Sequence, residues 1–311
     1  MPLMFTFFIF TAMLRGVGDT TTPLIALAIA TVIGLLATPL LIGGFAGLPA
    51  LGVAGAAWAS TLSFTITVVL LGLHLRRLKH PLAPNRMLLR HLWIDGGILG
   101  KVLRIGIATG LQVVVVSLAE IAVLSFVNAF GSDATAAYGA VNQIVSYVQF
   151  PAISIAITAS IFGAQAIGAG KTERLGAIVR TGILLNLVIT GGLIALAYVF
   201  SRTIIAFFIT STTVIELAQT LLHITLWSYV VFGAAAVLSA VMRASGTVLV
   251  PTSIAIVAII GVEVPAAWLL SRKIGLDGIW IAYPLTFAAM LTMQATYYRL
   301  VWRRKPITRL I

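Results

Sequence analysis

Of 311 residues, 60% are hydrophobic and only 9% charged, with a mean hydropathy of +1.10, whereas soluble chains carry roughly 25% charge; this excludes a soluble globular fold. Apolar stretches near the 20 or so residues that cross a hydrocarbon core recur throughout, which marks a polytopic membrane protein. Without cysteine there are no disulfides or thiolate metal sites, and the net charge of +12 lies between apolar runs, which argues for loop charge that sets orientation and against nucleic acid.

The pattern predicts nine apolar segments: 2–14, 23–43, 52–74, 99–130, 135–163, 174–200, 214–242, 248–270 and 277–301. Eight are long enough to span. The first reaches only about 20 Å against a core of about 30 Å. Met1–Phe10 has no basic leader and no small-residue cleavage site precedes Arg15, so a signal peptide does not fit. The chain is expected to begin inside a helix whose earlier part precedes Met1.

Between segments 1 and 2 stands Arg15–Pro23, RGVGDTTTP, and the same punctuation returns at Arg243–Pro251, RASGTVLVP. Gly follows Arg by three and Pro follows it by eight in both. A second pair of landmarks comes next in each case, Gly52-x-x-Gly55-x-x-x-Ala59 and Gly275-x-x-Gly278-x-x-x-Ala282. Two paired landmarks in one order indicate a duplication, with segments 7–9 the counterpart of segments 1–3. The linker at 75–98, with Pro81, Pro84 and a run of basic residues, divides the copies. Six helices after the linker and three before it imply that about three are missing upstream.

Loop charge sets the orientation. All of the 20 Lys and Arg except Arg202, Arg272 and Lys273 fall on one side of the segments, which assigns that side, with the linker and C-terminal tail, to the cytoplasm. Arg15 and Arg243 share that face, so the repeat is parallel, as in transporters built from two similar halves.

Four stretches together resemble the multidrug and toxic compound extrusion (MATE) transporters: LRGVGDTTTPL at Leu14–Leu24, LGVAGAAWAS at Leu51–Ser60, LRIGIATGLQ at Leu103–Gln112, and AAYGAVNQI…PAISIAITASIFGAQAIGAG from Ala136 to Gly170. The resemblance implies an all-α bundle of two six-helix lobes around a central cavity, exporting cationic or amphipathic compounds in exchange for protons or sodium. On that map the chain carries the end of helix 4 and helices 5 to 12. The first lobe is incomplete and lacks helices 1–3, which in the family contribute an important acidic site.

Away from the segment ends, two carboxylates fall inside predicted spans, where a charge is expensive and calls for a role. Glu120 lies mid-segment 4, with Val116, Ser117, Val123 and Leu124 as helical neighbours and no cation among them. Burial in a low-dielectric cavity favours the neutral carboxyl, the property a proton-coupling group needs; a hydrogen-bonded structural Glu is the alternative. The family often places its Glu one turn earlier, at Val116. Glu263, two residues before Pro265, is the second candidate, either lining the cavity or solvated near the span's end. Thr38-Pro39 stands where the family often has an acidic residue before proline, and Gly34 where it has Asn. Family members also place a carboxylate around Phe232. With these missing, the coupling ion is expected to be the proton in preference to sodium, which wants several oxygen ligands.

The expected substrate-cavity residues are Thr38, Gln112, Asn142, Ser146, Tyr147, Gln149 and Phe150, of which Asn142, Ser146 and Gln149 share a helical face. Hydrogen bonding between helices is the alternative use of such groups. Pro39, Pro151 and Pro265 are hinge candidates. Gly163, Gly168 and Gly170 lack the Gly-Lys-Ser/Thr of a phosphate loop and suit close helix contact and a turn. His74, His80 and His91 are expected to be solvated. The resulting reading is a plasma-membrane antiporter, monomeric when complete, with an organic cation or amphipath as substrate, the lipid bilayer as surroundings, no nucleic-acid partner and no cofactor beyond H+ or Na+. A lipid-linked saccharide flippase and a non-transporting fragment or assembly partner are the alternatives. No nucleophile–base pair or metal-ligand cluster within the spans suggests an enzyme.

Overall fold

With no water in the bilayer core to serve backbone polar groups, a chain this apolar must satisfy them internally, and it does so as helices. The computed structural model describes residues 2–44, 50–80, 82–83 and 95–305. They fall into two compact units, Met1–Gly96 and Gly97–Ile311. Of the linker, Pro81, Pro84, Arg86, Arg90 and His91 lie outside the described residues.

The first unit holds α1 (Pro2–Gly16), α2 (Thr21–Gly43) and α3 (Val53–Arg77). At 15 residues, α1 reaches about 22 Å, short of a span, as expected. Its Phe7 and Leu14 pack with Leu71 and Leu75 of α3, and Phe7 meets Phe64 with ring centres 5.4 Å apart. The Ser63 hydroxyl of α3 donates to the Ala30 carbonyl of α2.

The second unit contains α4 (Gly96–Asn128), α5 (Ser132–Gly168), α6 (Leu175–Val199), a short α7 (Ser201–Ala206), α8 (Thr212–Thr225), α9 (Ser228–Ala244), α10 (Leu249–Ala258), α11 (Val264–Ile274) and α12 (Leu276–Leu300). Among the described residues, seven helical stretches are long and apolar enough to cross a membrane. Taken together, α8 and α9, bent by 42°, make an eighth. That break at Leu226–Trp227 is not visible in the apolar run 214–242.

Both sequence landmarks recur as geometry. Arg15 and Arg243 stand in the last turns of α1 and α9; Gly18 and Gly246 follow at φ 95° and 81°; Pro23 and Pro251 are each the third residue of the next helix. Gly52 and Gly275 precede α3 and α12 at φ 53° and 70°, where a side chain is strained. A Cβ on Gly55 would lie 2.5 Å from the Leu41 carbonyl oxygen, and one on Gly278 2.3 Å from that of Leu270. Each second glycine thus seats its helix directly on the backbone of the preceding one, and Ala59 and Ala282 are fully buried behind them.

The prolines behave differently from one another. α2 and α5 continue helically across Pro39 and Pro151. Only at Pro265 does the winding change: Ile259–Glu263 forms a wide π-turn, in which the Val264 N–H reaches the Ile259 carbonyl. The extra residue relieves the ring clash and missing donor that a proline brings to a regular helix.

Candidate functional site

Two cavities open on the second unit, stacked along α4. One, of about 590 Å³, follows α4 from Thr109 to Glu120 and has Gln112, Ser239, Arg243 and Gln294 on its walls. The other, about 510 Å³, runs from Ser117 to Leu124 and is lined by Tyr138, Asn142, Ser146, Gln149, Tyr229 and Tyr283. Ser117 and Glu120 belong to both walls. One carboxylate therefore stands where the two cavities meet.

Glu120 departs from expectation in one respect. It is exposed on the α4 face that looks into the cavities, not buried. Glu263 is the buried carboxylate, at 7% exposure, which excludes the solvated alternative at the span's end. It is absent from the lining of both cavities but lies within electrostatic range of Glu120, Tyr229 and Tyr283. The π-turn carries Glu263 in its last position and so turns it into the bundle. Arg272, nine residues on, has its guanidinium 4.0 Å over the Trp268 ring.

Of the remaining candidates, Gln112 lines the larger cavity and Asn142, Ser146 and Gln149 the smaller. Tyr147 and Phe150, each 60% exposed, line neither. Thr38 belongs to the first unit, where its hydroxyl donates to its own helix at the Gly34 carbonyl. Asn186 is fully buried and structural. Its amide donates to the Val230 carbonyl at 2.9 Å, and its oxygen accepts from the Thr190 hydroxyl at 3.0 Å.

Sequence reasoning passed over an aromatic wall. The Tyr138 and Tyr283 hydroxyls are 3.0 Å apart, Tyr138 stacks on Trp280 with centres 5.7 Å apart, and Phe287 packs edge-on against Tyr229 at 5.1 Å. Tyr283 precedes Pro284 in α12, a pairing that in a polar-poor span was the available clue. Of this wall, Tyr138, Tyr229 and Tyr283 line the smaller cavity together with Glu120, with Tyr138 and Tyr229 themselves largely buried. In the larger cavity the buried Gln294 donates to the Pro251 carbonyl at 3.1 Å, while its side-chain oxygen has no partner among the described residues.

The break between α8 and α9 is held by Tyr198 of α6. Its hydroxyl donates to the His223 carbonyl at 3.2 Å and accepts from the Trp227 N–H at 3.1 Å. One side chain thereby serves both backbone groups at the break, and Tyr229 lies just beyond it on the cavity wall.

A profile of the family MatE matches residues 108–269. Over the whole chain there is 50% identity with the probable multidrug resistance protein YoeA of Bacillus subtilis, 68% of which is covered. The probable multidrug resistance protein YpnP of the same organism is 28% identical over 92% of the chain and 62% of its own length. The chain thus spans about two thirds of the length of the curated relatives it matches. In fold it resembles a crystal structure of the Vibrio cholerae MATE transporter VcmN, with a TM-score of 0.85 at 18% identity, covering 94% of this chain and 65% of that one.

Proposed function

Because the chain belongs to the MATE family of multidrug transporters, we propose that it exports cationic or amphipathic compounds by antiport, with the proton as coupling ion in preference to sodium. The observation that carries this reading is the place of Glu120 on the shared wall of two cavities. A carboxylate there takes either a proton or a cationic substrate, and competition between them couples the two flows. Glu263 is the second member of the pair, within range of the first. Tyr138, Tyr229 and Tyr283 supply an aromatic wall beside that carboxylate, and Asn142 and Gln149 supply hydrogen bonds. Two carboxylates suffice for proton exchange, whereas sodium asks for more oxygen ligands than they provide. Rocking of two lobes across the bilayer, with the linker and C-terminal tail cytoplasmic, supplies alternating access.

The test is dye efflux from proteoliposomes holding the whole protein, driven in separate arms by a pH gradient and by a sodium gradient. Efflux of ethidium is expected with the pH gradient and not with sodium alone, and Glu120→Gln should abolish it. Sodium-driven efflux would overturn the choice of ion. Undiminished pH-driven efflux in Glu120→Gln would remove Glu120 from the mechanism.

A further inference from the structure

A groove of about 880 Å³ runs between α5 and α6, on the second unit and apart from both cavities described above. Along the spans its walls are mostly apolar, with Ile155, Phe162, Ile178 and Leu185 beside the small polar Ser154, Thr158 and Thr181, and Gln165 nearer the turn. At one end it reaches the turn joining the two helices, where Lys171 and Arg174 line it. Both cations are exposed, and no lining residue is acidic; Glu173 of the same turn is exposed but not part of the wall. Since α5 ends at Gly168 and α6 starts at Leu175, the turn sits where the hydrocarbon core gives way to lipid headgroups.

The two halves of the groove call for one ligand of two parts. At membrane depth its walls are covered by a lipid tail whatever holds the cations, and a soluble phosphate would engage the two cations alone. A lipid with no net charge would cover the walls and leave the cations uncompensated. We propose that the groove binds one anionic phospholipid, its phosphate held by Lys171 and Arg174 and an acyl chain laid along Ile155, Phe162 and Leu185. Arg174 can present two parallel N–H groups to phosphate oxygens, while Lys171 adds a point charge. Both cations fall on the side that loop charge assigns to the cytoplasm, the leaflet face rich in anionic lipid.

Native mass spectrometry of the delipidated whole protein tests this, with phosphatidylglycerol and phosphatidylcholine titrated separately. The parent should hold one phosphatidylglycerol in preference to phosphatidylcholine. In the double variant Lys171→Gln, Arg174→Gln, the phosphatidylglycerol concentration for half-occupancy should rise about 30-fold, or about 2 kcal/mol at about 1 per cation. The charge-conserving variant Lys171→Arg, Arg174→Lys should retain the lipid. Thr181→Trp, which fills the groove from its wall, should lose it with both cations in place. Melting in lipid-free detergent, matched to the parent, certifies that each variant folds. Equal retention of the two lipids, unchanged binding by the double variant, or displacement by free glycerol phosphate would each overturn the proposal.

Discussion

A methyl group added at Gly233 tests how α6 and α9 are locked together beside the cavity wall. The new Cβ would lie 2.0 Å from the side-chain oxygen of Asn186, where a carbon in contact with another heavy atom needs about 3.5 Å. The Asn186 amide, fully buried, must therefore leave its place. In doing so it gives up the bonds to the Val230 carbonyl and the Thr190 hydroxyl. Side-chain hydrogen bonds within a bilayer are worth about 0.6 kcal/mol on average and about 1.7 at most, so the two account for roughly 1–3 kcal/mol. Overpacking of the surrounding core adds about 1–3 kcal/mol. Gly233→Ala should thus destabilise by roughly 2–6 kcal/mol, read from denaturant unfolding in mixed micelles. The double-mutant cycle decides the cause, because Asn186→Ala empties the space that the new methyl needs. In that background Gly233→Ala should cost well under half as much. Costs that simply add would show that the contact with Asn186 is not the reason, and the proposed lock would fall.

Tyr198→Phe removes the hydroxyl that serves both backbone groups at the α8–α9 break and should cost about 1–2 kcal/mol in the same assay; no change would mean that the break is held by other contacts. Asp19 precedes α2, and hydrogen bonds from the Thr22 side chain and backbone N–H hold its carboxyl below the usual carboxylate range. A lowered folded pKa stabilises above the unfolded value of 3.8 and is lost as pH falls through the folded one. Asp19→Ala should therefore cost about 0.5–1 kcal/mol at neutral pH and nothing once the parent is protonated near pH 2, whereas an equal cost at both would refute a role for the ionised carboxyl. Since the chain has no cysteine, orientation can be read without background: Arg202→Cys should react with an impermeant maleimide in intact cells and Lys305→Cys only after permeabilisation, and the reverse pattern would invert the assignment.

Much of the helical plan was legible because it depends on properties that the sequence carries locally. Length and hydropathy define the spans, and Gly52–Ala59 and Gly275–Ala282 repeat because each must bring one helix onto the backbone of another. What was not legible depends on partners distant in sequence. The run through Leu226 and Trp227 contains neither glycine nor proline at the break, and the group that stabilises the bend, Tyr198, belongs to a different helix. The relative burial of the two carboxylates was likewise not legible. Helical periodicity places Glu120 on a face, but not the cavity that face meets, and it gives no sign that the π-turn before Pro265 rotates Glu263 inward. Tyr147 and Phe150 were grouped with Ser146 and Gln149 by proximity in sequence, whereas the helix turns them off the wall that Ser146 and Gln149 share.

The central claim, that proton and cationic substrate compete at Glu120, is tested most directly by counting protons released when an organic cation binds. In weakly buffered detergent solution, adding ethidium to the purified protein should acidify the medium, with release falling away in Glu120→Gln. Identical release by that variant, or cation binding with no release by the parent, would contradict the account.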